Sequence, residues 1–235
     1  MTAGPRFLIV NADDLGTSTG LNAGIMRAHA EGIVTSASLM VKRPRAREAS
    51  ELAREEGIGL GLHVDLAEWE PRAGVLTEIY RRVDLEDSGA VAAEIDQQVE
   101  LFVDLVGGPP DHLDSHQHVH LNGAARDASI RAADRLGVPL RRLRGGVTLC
   151  DGFYGQQANF EPYPDGVSLE NLRRLLDMIP DGWTELMCHP GLAYDIASVY
   201  KAEREAELET LCRPEVRAAL DDRGIELRNF SQMPR

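Results

Sequence analysis

The sequence predicts an α/β fold in which about seven strands alternate with helices around a parallel sheet, as in a (β/α) barrel. Short apolar runs alternate with longer segments of helical period along the whole chain, the mark of successive βα units. The 235 residues, 43% hydrophobic, suffice for one sizeable core and fall in the size range of one barrel domain, taken as residues 1–235. Acidic and histidine residues recur just past the ends of the apolar runs, the edge on which barrel sites assemble.

Each element has its own warrant. Phe7 to Ala12 reads as the first strand, and Leu21 to Glu31 as its helix, with Leu21, Ile25 and Ala28 on one face. Ser36 to Val41 is the second strand and Ala46 to Glu55 a polar-faced helix. Ile58 to Val64 is the third, where Gly59 and Gly61 permit close backbone approach. Ala67 to Ser88 has no clean period, carries Trp69, Pro71 and Gly74, and reads as a long βα loop, a kind of segment that is often functional. Val91 to Val106 is the clearest helix, with Val91, Ile95, Val99, Phe102 and Val106 on one stripe and Gly107-Gly108-Pro109-Pro110 to stop it. His112 to Ser115 is a fourth strand, Ala124 to Leu136 its helix, and Leu140 to Leu143 a fifth strand. Ser168 to Ile179 is an N-capped helix, Thr184 to Cys188 a sixth strand, Glu203 to Leu211 and Pro214 to Asp222 helices, and Ile225 to Arg228 a closing strand. No repeat or linker divides the chain.

Bulk composition excludes several functions. A net charge of −13 with scattered basic residues argues against a nucleic-acid partner. The 3 cysteines are widely spaced and form no C-x-x-C, so neither a disulfide framework nor a cysteine zinc site is expected. The segment from Met1 to Arg6 lacks the features of a secretory signal, and no apolar run is long enough to cross a bilayer. The expectation is a cytoplasmic protein with no membrane partner; a homodimer is compatible with it.

Asp13 and Asp14 are the chemical focus. Adjacent carboxylates raise one another's pKa, and a divalent cation commonly neutralises them. Five of the 7 histidines lie in Gly61-Leu62-His63-Val64-Asp65 and Asp111-His112-Leu113-Asp114-Ser115-His116-Gln117-His118-Val119-His120. Asp14, His63 and His116 supply two imidazoles and one carboxylate, a standard set for one catalytic divalent ion such as Mg²⁺ or Zn²⁺. The alternative is that Asp14 caps a turn and the histidines are satisfied polar residues. Asp13, if not a ligand, would stand beside the ion's water as a general base. His116, His118 and His120 alternate, so an extended segment would point all three one way, either as a metal cluster or with one as ligand and the others orienting substrate or the groups around the ligands. Asp114 could fix an imidazole tautomer. His189, in Cys188-His189-Pro190-Gly191, suits a general acid held on a turn, or a histidine that only stabilises the turn. Arg141 and Arg144 could hold a substrate oxygen or simply form a solvated face. Trp69 and Tyr80 could stack on a substrate ring or merely pack the long loop.

The ordered combination of Asn11-Ala12-Asp13-Asp14-Leu15-Gly16, Gly61-Leu62-His63, Asp114-Ser115-His116-Gln117-His118-Val119-His120 and His189-Pro190-Gly191 resembles the YdjC-like carbohydrate deacetylases, which include the chitooligosaccharide deacetylases. The first motif has Leu15 where that family commonly has Phe, and beyond Arg144-Gly145-Gly146 the pattern is matched less well. The resemblance implies a distorted (β/α) barrel and hydrolysis of the N-acetyl group of a 2-acetamido sugar. It implies a divalent metal on Asp14, His63 and His116, Asp13 as base, and His189 as acid with His118 its rival. Arg144, Trp69 and His120 are the expected substrate contacts. Hydrolysis of a different amide or ester, or a non-catalytic sugar-binding barrel, remain the competing readings.

Overall fold

A computed structural model describes residues 4–72 and 74–234. The reading of the terminal segment therefore lies outside the described residues at Met1 to Ala3. The chain starts with β1 (Arg6–Leu15), α1 (Thr19–Ala30), β2 (Ser36–Leu39), α2 (Ala46–Glu56) and β3 (Gly59–Val64). Next come β4 (Ala67–Arg72), β5 (Val75–Arg81), α3 (Ser88–Val106), β6 (Leu113–Ser115) and α4 (Gly123–Leu136). The order ends with β7 (Thr148–Cys150), α5 (Leu169–Asp177), β8 (Gly182–Cys188), α6 (Ala202–Leu211), α7 (Pro214–Asp222) and β9 (Ile225–Leu227).

Among the described residues, seven strands form one sheet in the order β6-β3-β2-β1-β8-β7, with β9 also pairing β1. Each of these pairings is parallel. A parallel sheet between helices is buried on both faces, which is why β1 and β2 are continuous runs of buried residues rather than alternating ones. The sheet curls without closing into a ring, giving the expected distorted barrel.

Local chemistry sets the helix ends. Ser18, Asp87 and Ser168 accept from backbone N–H groups in the first turns of α1, α3 and α5. On α3, Val91, Ile95, Val99 and Phe102 are buried, and Gly107 at φ 86° closes the helix in a conformation that suits glycine.

Three segments differ from the sequence reading. Ala67 to Ser88 is not a loop for most of its length: β4 and β5 pair antiparallel as a hairpin outside the main sheet. Its strands are only half-buried and exposed, so no apolar alternation marks them in the sequence. Leu140 to Leu143 is not a strand. Leu140 makes a single parallel bridge to Leu113, and the chain then turns, with the N–H groups of Leu143 and Arg144 both donating to the Leu140 carbonyl and Arg142 at φ 63°. In the main sheet the strand with no counterpart in the sequence reading is β7, too short and too exposed to carry a pattern.

Candidate active site

The carboxyl ends of β6, β3, β1 and β8 lie close together in the sheet, so His116, His63, Asp13, Asp14 and His189 gather around one cavity of about 360 Å³. That volume lies within the range of small-molecule sites. Consecutive residues of a regular strand face opposite sides, yet both Asp13 and Asp14 line this cavity. The register of β1 on β2 shifts between Ala12 and Leu15, and Asp14 has φ 69°. This bulge re-aims the second carboxylate, as bulges beside active sites do.

Asp14 is the hub of one cluster. Its Oδ1 lies 3.0 Å from His116 Nδ1 and 3.5 Å from His63 Nε2. Its Oδ2 accepts from Arg204 on α6 at 2.5 Å. Burial would raise its pKa, but Arg204 and His116 outweigh that and hold it well below the usual carboxylate range. His63 donates through Nδ1 to Asp114 Oδ1 at 2.7 Å, which leaves Nε2 for the cavity. Burial would lower the His63 pKa, but Asp114 and Asp13 reverse this and push it up to about 10. His116 Nε2 is buried with no hydrogen-bond partner among the described residues.

Asp13 belongs to a second cluster, centred on a residue whose weight the sequence did not reveal. Arg141, read as one of two arginines on a basic face, is almost fully buried and holds three carboxylates. It donates to both oxygens of Asp13 at 2.6 and 2.7 Å, meets Asp114 Oδ2 at 2.6 Å, and donates through Nε to Glu185 at 2.8 Å. Burial would raise the Asp13 pKa, yet Arg141 brings it below its ordinary value.

Each cluster offers donor atoms close enough for a cation: Asp14, His63 and His116 in one, Asp13, His63 and Asp114 in the other, with ligand atoms within 4.8 Å of one another. Arg141 already neutralises the second. The first has a buried imidazole nitrogen with no hydrogen-bond partner among the described residues and a mixed nitrogen and oxygen donor set, so these residues fit a divalent ion.

The three alternating histidines do not share a face. His116 to Leu121 is a 3₁₀ turn in which Gln117 and His118 have φ near 50°, so the segment is not extended. His116 and His118 reach the cavity. His120 does not: it lies fully buried behind the site, bonded to Ser115 Oγ and the Arg141 carbonyl, and burial lowers its pKa to about 4. His120 is therefore not among the residues that line the cavity, where a substrate contact was expected. Neither is Arg144, whose side chain is 44% exposed and pairs with Asp134. Trp69 does line the cavity. The Gln117 side chain, bonded to both the N–H and the carbonyl of Trp69, staples the hairpin to the histidine turn. Tyr80 packs between Arg43 and Arg82 and donates to Asp65, anchoring the hairpin base.

His189 follows β8. Its Nε2 is 3.9 Å from Asp13 Oδ2, and burial pushes its pKa down to about 4. His118 shares the cavity, and burial, with Arg141, lowers its pKa too. Gly61 explains part of the packing beneath: a β-carbon there would stand 2.2 Å from the His112 ring, whose Nε2 reaches Ser38 Oγ at 3.0 Å, and Ser38 in turn donates to Asp114.

The sequence reading missed Arg204, Glu207, Glu185 and Tyr154. Glu185 left a faint signal as a charge inside an apolar strand. Arg204 and Glu207 left none, since α6 is charged on every face.

Residues 7–222 match the family described as YdjC-like protein. A carbohydrate deacetylase of Geobacillus stearothermophilus is 34% identical, over 97% of this chain and 98% of that protein. A chitooligosaccharide deacetylase of Serratia marcescens is 31% identical, over 97% and 99%. A crystal structure from Enterococcus faecalis V583, described as a candidate cellobiose-phosphate cleavage protein, superposes with a TM-score of 0.78 at 26% identity, over 97% of this chain and 98% of that one. With the four motifs gathered at one cavity and this match running through nearly the whole chain, the protein belongs to the YdjC-like family.

Proposed function

We propose that the protein is a carbohydrate deacetylase that hydrolyses the N-acetyl group of a 2-acetamido sugar or short chitooligosaccharide, releasing acetate, with one divalent metal ion in the Asp14, His63 and His116 cluster. The observation that carries this is a cluster of mixed nitrogen and oxygen donors with a second carboxylate, Asp13, held by Arg141 beside it in one cavity. A divalent ion there would polarise an acyl oxygen and make a nearby water more acidic.

The chain's own residues do the rest. Arg141 keeps Asp13 ionised at neutral pH, so Asp13 can take a proton from the attacking water. The water oxygen bonds to the acetyl carbon, and the carbon–nitrogen bond then breaks. His189, neutral at rest because of its burial and 3.9 Å from Asp13, is positioned to receive that proton and pass it to the departing amine nitrogen. The products are acetate and the free amino sugar. His118 is the second imidazole that could serve as acid. Trp69 offers an aromatic wall on which a pyranose ring can stack.

The test uses purified protein loaded with Zn²⁺, or separately with Mg²⁺, and a panel of diacetylchitobiose and other N-acetylhexosamine conjugates. Acetate release that disappears in Asp14→Ala is expected. Undiminished release in that variant would remove the metal assignment, and absence of acetate release from the whole panel would remove the deacetylase reading.

A further inference from the structure

Two ionisable side chains on α6 are buried without being explained by the fold or by the chemistry above. Arg204 is 7% exposed and Glu207 fully buried, whereas Glu205 and Glu209 on the same helix are exposed. Burying an ionisable group is costly even when it is paired, so such residues are informative wherever they occur. They stand one turn apart and therefore on one face. That face meets the cavity.

Arg204 reaches two groups. Its Nη2 donates to Asp14 Oδ2 at 2.5 Å, and Nη1 to the His189 carbonyl at 3.4 Å. Glu207 accepts from the His189 backbone N–H through Oε2 at 2.5 Å and from the Tyr200 hydroxyl through Oε1 at 2.6 Å. The backbone N–H of Gly155 in turn donates to that hydroxyl, so its own proton is free to go to Glu207. The Tyr200 ring stacks on Tyr154 at 4.8 Å, and both rings stand edge-on to the His189 imidazole at 5.9 and 5.4 Å. The backbone of His189 is thus gripped on both its N–H and its carbonyl by α6, and its ring is walled by an aromatic pair that Glu207 helps to hold.

We infer that Arg204 and Glu207 are positioning residues with separate duties: Arg204 occupies one oxygen of Asp14 so that the other alone faces His63 and His116, and Glu207 fixes His189 and its aromatic wall. This rests on the deacetylase reading above for the identity of the metal cluster and of His189. Residues that orient metal ligands change affinity without touching the ion. Glutamine in place of Glu207 keeps the shape but cannot accept from both donors at once.

The experiment compares wild type, Arg204→Gln and Glu207→Gln by calorimetric titration of the metal-free proteins with Zn²⁺, and by steady-state acetate release from diacetylchitobiose. Arg204→Gln should weaken Zn²⁺ binding by roughly 10-fold or more. Glu207→Gln should bind Zn²⁺ as wild type does, but lose roughly 10-fold or more in kcat with little change in KM. A role confined to folding would move both readouts in both variants, and that result overturns the inference. So does unchanged Zn²⁺ affinity in Arg204→Gln. If that variant does not accumulate, Arg204→Lys keeps the charge but cannot hold Asp14 and the His189 carbonyl with one fork, and it too should bind Zn²⁺ more weakly. Wild-type protein that binds no Zn²⁺ would remove the metal-cluster reading itself. Wild-type protein that binds Zn²⁺ but releases no acetate would remove the deacetylase reading, and the affinity comparison would still decide the role of Arg204.

Discussion

Replacing Arg141 by Gln should destabilise the protein in a manner that depends on pH. The guanidinium contacts Asp13, Asp114 and Glu185 at 2.6–2.8 Å, and all four side chains are at most 3% exposed. Removing one partner of a buried ion pair costs roughly 3–5 kcal/mol, because the remaining charge is left uncompensated. For a protein of this size that corresponds to a fall in Tm of roughly 6–20 °C. In the wild type Asp13 and Asp114 are held below their ordinary values: burial pushes them up, and Arg141 more than offsets it. A carboxylate whose folded pKa is depressed adds stability above its unfolded pKa and loses it as pH falls through the folded value. Without Arg141, burial dominates and the folded pKa values rise above the unfolded ones. Those carboxylates then oppose folding at neutral pH and oppose it less as acid protonates them. The stability difference between wild type and variant should therefore be largest near pH 7 and shrink toward pH 4. Urea unfolding of both proteins in EDTA, at pH steps between 7 and 4, measures it. A difference that stays constant across that range would refute the electrostatic argument and leave only lost packing.

Other substitutions separate the roles in the cavity. Asp14→Asn should lose Zn²⁺ in calorimetry, whereas Asp13→Asn should keep it and lose roughly 10²–10⁴-fold in kcat, the usual contribution of a general base. Equal metal loss in both would mean that the pair binds jointly. Because His63, raised to about 10, holds a proton in the metal-free protein, and a ligating imidazole must be neutral, metal binding near pH 7.5 should release about one proton. Titration in buffers of different ionisation enthalpy reads that number directly. Stability from the same proton is full below the ordinary histidine pKa and lost as pH rises toward 10, so metal-free protein should weaken across that window. Arg144→Ala should change neither KM nor kcat, while Trp69→Ala should raise KM for a chitooligosaccharide with a smaller effect on kcat; the reverse pattern would restore Arg144 to the substrate contacts.

Much of the site is legible in the sequence because its residues sit on motifs short enough to read locally. Asp13 and Asp14 end an apolar run, His63 ends another, and His189 precedes a Pro-Gly break, and each falls at a strand end by simple periodicity. The sheet and its helices were legible for the same reason, since strands buried on both faces must be apolar throughout.

The order of amino acids alone sets which chemical groups are present and the edge of the sheet on which they stand. The charge state and partners of each group follow from the folded chain, because they depend on residues brought in from far along it. Arg141 comes 128 residues after Asp13 and Arg204 190 residues after Asp14, and these two arginines hold the adjacent, like-charged carboxylates ionised, each through its own ion pair. Nothing in local sequence distinguishes them from the solvated Arg144. The difference is burial, and burial of a charge is a property of what packs around it.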